Sequence, residues 1–224
     1  GKSVYLTDDG YIVDRDTFAS LLPNYAIYGE ALYKVPNGPT LKPLKIYSPN
    51  YHYDWTGVDA PAHTSLVLEK LGFQIVDTPD EADVIVLENN RFDASIFGKK
   101  PTLVIGGEAM QKLEKLGVLS GFDAEKLKGG SDYEGLMKAI IDDQDPLTSG
   151  YKKNALFYSN SGNWIEKVPS NFKTLMSIAS SDYYIAGWWP KNEVLANKVM
   201  AISGELLGQP LFVYAGNPTN RQHP

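Results

Sequence analysis

The stretch that decides the fold is "PTLVIGGEAM", which runs from Pro101 to Met110. Its apolar run is typical of a buried strand, and two glycines follow it before the helix-like segment "EAMQKLEKLG" begins. In α/β enzymes a nucleophile often sits on such a strand-to-helix turn. Here Gly106 and Gly107 permit close backbone approach and a positive φ, and Glu108 stands where a nucleophile is expected.

Glu108 has two interpretations. In the first turn of a helix, its carboxylate complements the positive end of the helix dipole, which contributes about 0.3–1 kcal/mol. Alternatively, Glu108 is a general acid or base, which requires a perturbed pKa and a partner within hydrogen-bond reach. The sequence alone leaves both interpretations open.

Around this turn the chain has the rhythm of an α/β domain. The segments "LKIYSP", "FQIVD" and "ADVIVLEN" are predicted strands that precede "PTLVIGG". We therefore expect an α/β fold with a mostly parallel, flavodoxin-like sheet and helices on both faces. Residues 1–43 are rich in Tyr, Gly and Pro and are predicted to form a β-rich arm with strands such as "YAIYGEALYKV", while residues 44–224 form the α/β domain.

Two helical segments and a final strand pair complete the predicted architecture. The segment "VDAPAHTSLVLEKLG" predicts an amphipathic helix with Leu66, Val67 and Leu71 on its apolar side and His63 exposed. Residues 118–153 are predicted to be helical, with "DYEGLMKAIIDD" as the clearest helix. The segments "NKVMAISGEL" and "QPLFVYAGN" predict an antiparallel pair at the end of the sheet.

Composition excludes several classes of function. The 224 residues carry a formal net charge of −6, with scattered basic residues, which argues against a nucleic-acid partner. The chain has no cysteine, which excludes disulfides, thiolate metal sites and a cysteine nucleophile. It has no apolar window of membrane-spanning length. The three histidines show no metal-binding spacing, so no metal site or cofactor is predicted in this chain.

The loops after the predicted strands carry the candidate ligand-binding residues, because ligands of open α/β sheets bind outside the carboxyl ends of the strands. A cleft there would use the polar and aromatic residues of these loops, which can stack on sugars or clamp a peptide. The "GWWP" segment around Trp188 and Trp189 is interpreted instead as a packing element. The ligand-binding candidates are Gly106, Gly107, Glu108, His52, Asp54, Trp55 and Trp164.

The order of "LKIYSP", "ADVIVLEN", "PTLVIGGEAM", "DPLTSGY", "SDYYIAGWWP" and "LFVYAGNPTNRQHP" resembles the class I glutamine amidotransferase-like fold. More narrowly, it resembles the amidotransferase-like accessory domain of large bacterial zinc carboxypeptidases. In that alignment Glu108, or Gly107 after a shift of one residue, takes the place of the catalytic cysteine. His223 takes the place of the catalytic histidine.

The resemblance implies a noncatalytic domain, because glutamine hydrolysis through a thioester needs a thiolate-grade nucleophile. It implies that the partner is the peptidase domain of the same polypeptide, and that zinc is bound only there. It further implies a secreted or cell-surface bacterial protein, a pseudoenzyme domain that continues beyond Pro224 with a final helix.

Two other functions compete with this interpretation. A small hydrolase would use Glu108 and His223 as acid and base groups, with Glu88 or His52 as further candidates, and it requires Glu108 close to a histidine. A carbohydrate- or peptide-binding module would require Trp55 or Trp164 exposed beside the cleft. The accessory domain requires an exposed apolar patch near Trp188 and Trp189 or along the N-terminal arm.

Overall fold

The computed structural model of the chain describes residues 4–6, 12–14, 44–53, 55–126, 133–148, 150–159 and 162–218. The chain divides into two compact units, Gly1–Lys42 and Pro43–His223. In the first unit, strand β1 (Val4–Leu6) pairs antiparallel with β2 (Ile12–Asp14). The predicted strand "YAIYGEALYKV" lies outside the described residues.

A mixed sheet of 12 strands forms the second unit. Five of these strands pair in parallel: β3 (Lys45–Tyr47), β6 (Gln74–Ile75), β7 (Val84–Leu87), β8 (Thr102–Ile105) and β16 (Gln209–Tyr214). Their order across the sheet is β6–β3–β7–β8–β16. A separate antiparallel hairpin, β4 (Tyr51–Tyr53) and β5 (Val58–Ala60), follows β3.

Two helices cover opposite faces of the parallel strands. Helix α1 (His63–Lys70) packs Leu68 against the face of the sheet that carries Ile105. Helix α2 (Gly106–Leu116) covers the other face, where Met110 and Leu113 pack with Val104. Neighbouring side chains of a strand point to opposite faces of the sheet. Val104 and Ile105 are therefore buried in two separate groups of apolar side chains, one on each face. The predicted α/β fold is therefore confirmed. No helix in the described part of the chain is long and apolar enough to span a membrane.

The apolar side predicted for α1 is wrong. Leu66 and Leu71 are exposed, whereas Thr64 and Ser65 are the buried residues of this helix. The helix is short, and its first turn inserts polar groups toward the sheet, where Thr64 binds a buried carboxylate. His63 is exposed, as predicted.

Antiparallel strands extend the sheet beyond β16. They are β9 (Asp123–Lys126), β10 (Glu134–Ile141), β11 (Asn154–Ser159), β12 (Asn163–Lys167), β13 (Lys173–Ile178), β14 (Tyr184–Trp188) and β15 (Val199–Leu206). The main order continues β16–β15–β13–β10–β11, with β14 paired to β10 and β12 linking β15 to β9. The sheet is thus mixed rather than mostly parallel. The predicted antiparallel pair β15–β16 is confirmed, although it lies in the middle of the sheet.

The helix predicted within residues 118–153 is wrong, because its clearest part forms strand β10. Alternate residues Gly135, Met137, Ala139 and Ile141 of this strand are buried, which is the two-residue period of a strand with one face in the core. The good helix formers in "GLMKA" are overridden by pairing with β11, β13 and β14.

The strand assignment of β10 makes a stability prediction. Met137 is fully buried, so Met137→Ala should lower the free energy of unfolding by about 2–5 kcal/mol through lost packing and a cavity. Its neighbour Lys138 is exposed, and Lys138→Ala should change stability by less than about 0.5 kcal/mol. Urea unfolding of both variants measures the difference. Equal losses in the free energy of unfolding would contradict the alternation of buried and exposed residues along β10.

Candidate functional site

The turn after β8 joins the strand directly to helix α2, as a nucleophile elbow does. Gly106 follows the strand directly and has φ +82°, while Gly107 and Glu108 do not have positive φ. A Cβ added at Gly106 would meet no atom within 4 Å. At Gly107 a Cβ would lie 2.1 Å from Asn163 Nδ2, so any larger residue here would displace the Asn163 side chain. By its backbone, the strained position of the elbow is therefore Gly106, one or two residues before the positions that the resemblance suggested.

Glu108 lies exposed in the first turn of α2, next to this elbow. Its Oε2 accepts a hydrogen bond from the Tyr51 hydroxyl at 3.3 Å. The same hydroxyl lies 2.9 Å from the backbone carbonyl oxygen of Glu88, to which it also donates. Tyr51 therefore bridges the carboxyl ends of β7 and β8, and we call the gap between these two strand ends the crevice.

Glu88 is buried and serves the N-terminus of α1. Its Oε2 accepts a hydrogen bond from the Thr64 backbone N–H at 3.0 Å and another from the Thr64 hydroxyl. A carboxylate at this position complements the helix dipole and satisfies a backbone donor that the helix leaves unpaired. The other oxygen, Oε1, has no hydrogen-bond partner among the described residues. Glu88 is thus held by the fold rather than presented to solvent.

Tyr51 experiences a negative environment. Burial of the ring raises the pKa of the Tyr51 hydroxyl well above 10.0, and the nearby carboxylates of Glu108 and Glu88 raise it further. Both effects oppose ionisation, because a phenolate would be poorly solvated and would face two negative charges. The hydroxyl accordingly stays protonated and acts as a donor near neutral pH.

Aromatic rings hold the β4–β5 hairpin beside this crevice. Tyr51 stacks on Tyr53 with ring centroids 5.8 Å apart, and on His63 at 5.9 Å. The Tyr53 hydroxyl oxygen lies 3.1 Å from His63 Nε2, and Trp55 meets Tyr53 edge-on at 6.4 Å. The Trp55 side chain at the hairpin tip is 86% exposed. Stacking directs the faces of Tyr51, Tyr53 and His63 toward each other, so Trp55 is the ring of this group most available to a ligand.

The other side of the hairpin carries a chain of charged groups. His52 Nδ1 lies 2.7 Å from Asp59 Oδ1, and the Arg91 guanidinium lies 2.6 Å from the same oxygen. Hydrogen bonds from Arg91 and His52 lower the pKa of the Asp59 carboxyl. A cavity of about 310 Å³ opens next to Asp59 and Arg91.

The predicted site residues separate into several groups. Glu88, Glu108 and the two glycines meet at one crevice, with His52 and Trp55 on the adjoining hairpin. Trp164 is buried in β12, where its Nε1 donates to Glu166 at 2.6 Å, so it is not an exposed ring beside the cleft. Asp54 and His223 lie outside the described residues.

Sequence reasoning missed the partners that organise these groups. The pairing of His52 with Asp59 follows from the register of the hairpin, which no local motif reveals. Arg91 lies in the loop that follows a predicted strand, but the sequence does not indicate that Asp59 is its partner. Among the described residues, no group of three or more His, Asp or Glu side chains is placed to bind a metal ion.

Comparisons with known proteins support the fold. No family model matches the chain, and no curated protein matches it in sequence. A candidate GMP synthase subunit from Thermoplasma acidophilum is similar in structure, with 17% identity and a TM-score of 0.50, and the match covers 80% of this chain and 86% of that one.

Two further solved structures are more distant. A glutamine amidotransferase from Thermotoga maritima has 10% identity and a TM-score of 0.47, over 80% of this chain and 77% of that one. A candidate ThuA-like protein from Parabacteroides merdae has 11% identity and a TM-score of 0.47, over 77% and 79% of the two chains. The likeness to the candidate GMP synthase subunit, at a TM-score of 0.50, supports the α/β fold of the chain, and at 17% identity it concerns the fold alone.

The position of Tyr51 predicts a pH-dependent contribution to stability. Tyr51→Phe should lower the free energy of unfolding by about 0.5–1.5 kcal/mol at pH 7, because it removes the hydroxyl that joins Glu88 to Glu108. The folded-state pKa of Tyr51 lies above the ordinary 10.0, so this contribution is complete below pH 10 and is lost as the pH rises further.

Urea unfolding at pH 7 and at several pH values above 10 measures this effect. The difference in the free energy of unfolding between the natural chain and Tyr51→Phe should become smaller as the pH rises above 10. Tyr183→Phe is the matched control at pH 7, because the Tyr183 hydroxyl also donates to a backbone carbonyl, that of Asn192. A difference that stays constant over this pH range would show that ionisation of the Tyr51 hydroxyl is not linked to the stability of the fold.

Proposed function

We propose that this chain is a noncatalytic, amidotransferase-like domain that serves as an accessory domain of a larger secreted zinc carboxypeptidase. In this role it supports or positions the peptidase domain of the same polypeptide, which alone binds zinc. The carboxypeptidase context rests on the sequence resemblance. The noncatalytic role rests on the elbow and on the residue that fills the crevice beside it.

The observation that carries the proposal is the absence of a side chain at the strained position of the elbow. Gly106 occupies this position, and the chain has no cysteine to supply a thiolate elsewhere. Tyr51 spans the neighbouring crevice and binds Glu88 and Glu108. A substrate carbonyl placed there would meet a tyrosine hydroxyl and a carboxylate, and no thiolate.

An exposed apolar face supports the docking role. Tyr158 pairs with Leu136 and Leu156 pairs with Lys138 across β10 and β11, while Trp188 pairs with Glu134 across β10 and β14. Paired residues of adjacent strands share a face, so Leu156, Tyr158 and Trp188 lie on the same side of the sheet. We call this surface the β10–β11–β14 face.

Only one of the two neighbouring tryptophans lies on this face. Trp188 and Leu156 are each 59% exposed, whereas Trp189 is buried on the core side. Ile140 and Ile185 of the same strands are also exposed. These apolar side chains share the face with the exposed charged residues Glu134 and Lys138, a mixture typical of interaction sites, in which a large aromatic ring is a typical anchor. The partner that we propose for the β10–β11–β14 face is the peptidase domain.

Activity measurements test the noncatalytic part. The chain should show no glutaminase, esterase or peptidase activity above the buffer background, and Glu108→Gln should leave that background unchanged. Glu69→Gln, on the exposed surface of α1, is the matched control. An activity that Glu108→Gln abolishes and Glu69→Gln retains would establish a hydrolase and overturn the proposal.

Binding measurements test the docking part. The chain should bind the separately produced peptidase domain of its own polypeptide in calorimetric titration. Trp188→Ala and Leu156→Asp should each weaken this binding about tenfold or more. Trp55→Ala removes an even more exposed ring, 86% against 59% for Trp188, from a different surface and should have no effect. Equal binding by all variants would exclude the β10–β11–β14 face as the interface.

A further inference from the structure

The cavity of about 310 Å³ lies at a position where the topology favours ligands. The chain leaves β3 toward β6 on one side and later returns to β7 on the other side of β3. Loops that follow β3 and β7 therefore diverge, and in open α/β sheets ligands bind in the crevice outside the carboxyl ends of the strands at such a switch point. This cavity is distinct from the crevice that Tyr51 spans.

Polar groups dominate the cavity wall. Three segments contribute them: Ser48 and Asn50 follow β3, Asp77 follows β6, and Arg91 follows β7. Asp59 of the hairpin completes the polar set, and the half-buried ring of Tyr47 adds an aromatic surface. Carboxylate, amide and guanidinium groups can each bind two neighbouring ligand atoms at once.

Ser48 provides an independent sign of a missing partner. The residue is only 8% exposed, and its hydroxyl has no hydrogen-bond partner among the described residues. A buried hydroxyl without a partner is destabilising, which is why nearly all such groups in native proteins are paired. The hydroxyl oxygen has less than 1 Å² of accessible surface, so a polar ligand would supply this partner by displacing the wall atoms that cover it.

The wall is organised before any ligand arrives. Asn89 is buried and connects two of the loops, since its Nδ2 donates to the Pro49 carbonyl at 2.8 Å and its Oδ1 accepts from the Arg91 backbone N–H at 2.9 Å. The Arg91 guanidinium is in turn fixed by Asp59. Such preorganisation reduces the entropy lost on binding.

The charge of the wall restricts the class of ligand. Asp59 and Asp77 supply two carboxylates, whereas the Arg91 guanidinium is already paired with Asp59. An anion such as phosphate would therefore meet net negative charge. The volume is at the lower end of the range for ligand pockets, about 300–1,000 Å³. We propose that this cavity binds a neutral polyol of monosaccharide size through Ser48, Asn50, Asp77 and Arg91.

An NMR titration tests this site without any assumption about the proposed accessory role. The ¹⁵N-labelled chain is titrated with D-glucose, D-mannose and glycerol, and with inorganic phosphate as an anionic probe. At least one polyol should give saturable shifts of the Ser48, Asn50 and Val76 amides. Ser48→Ala and Asp77→Asn should each weaken that binding about tenfold, because the first removes a hydroxyl and the second replaces an acceptor oxygen with an amide donor.

Control variants outside the cavity, and the residues whose amide signals shift, show whether binding occurs in the cavity. Ser120→Ala and Asp143→Asn change exposed residues of the same types outside the cavity and should bind as the natural chain does. Amide spectra confirm that each variant remains folded, and Asn50→Ala, at an exposed position, replaces any variant that does not. The proposal is overturned if no polyol gives saturable shifts, if the shifts centre on Trp55, or if phosphate binds more tightly than every polyol.

Discussion

The structure depends on the double pairing of one central strand. β16 pairs in parallel with β8 on one side and antiparallel with β15 on the other. Its inward residues Leu211 and Val213 are buried, as expected for a strand that has neighbours on both edges. Because β16 is the junction, the crevice of the parallel part and the β10–β11–β14 face of the antiparallel part belong to one continuous sheet.

Sequence patterns predicted the parallel part well, because its signals are local. The apolar runs that end in Leu87 and Ile105 have no polar alternation, which is typical of strands buried on both faces. Helix α2 has a regular apolar stripe and ends at Gly117, which adopts the left-handed conformation with φ 64°. These features are fixed by residues close in sequence, so they can be inferred without tertiary information.

The antiparallel part was predicted less well because its signals are not local. Within β10, Leu136, Met137 and Ala139 favour a helix by propensity, and only the cross-strand partners make the strand more stable. Trp164 presents a similar case. Its loop-like surroundings made it a candidate ligand-binding ring, but pairing of β12 with β9 and β15 buries it.

Several residues of the candidate site were predicted from the sequence, but the hydrogen bonds and ion pairs that join them were not. Strand-end reasoning correctly placed Glu88 and Glu108 at the same edge of the sheet. It did not reveal that Tyr51 would join them, or that Asp59 would hold Arg91. These contacts depend on how the β4–β5 hairpin folds over the strand ends, which is a matter of register rather than composition.

Gly106 has an evolutionary consequence. A Cβ acquired there would meet none of the described atoms within 4 Å, and its main cost would be the backbone strain of a positive φ, about 1–2 kcal/mol. The nearby core residues Val104 and Met110 would keep their packing. Loss or gain of a reactive group at this turn is therefore nearly independent of the rest of the fold, so catalysis and architecture can be selected separately in this scaffold.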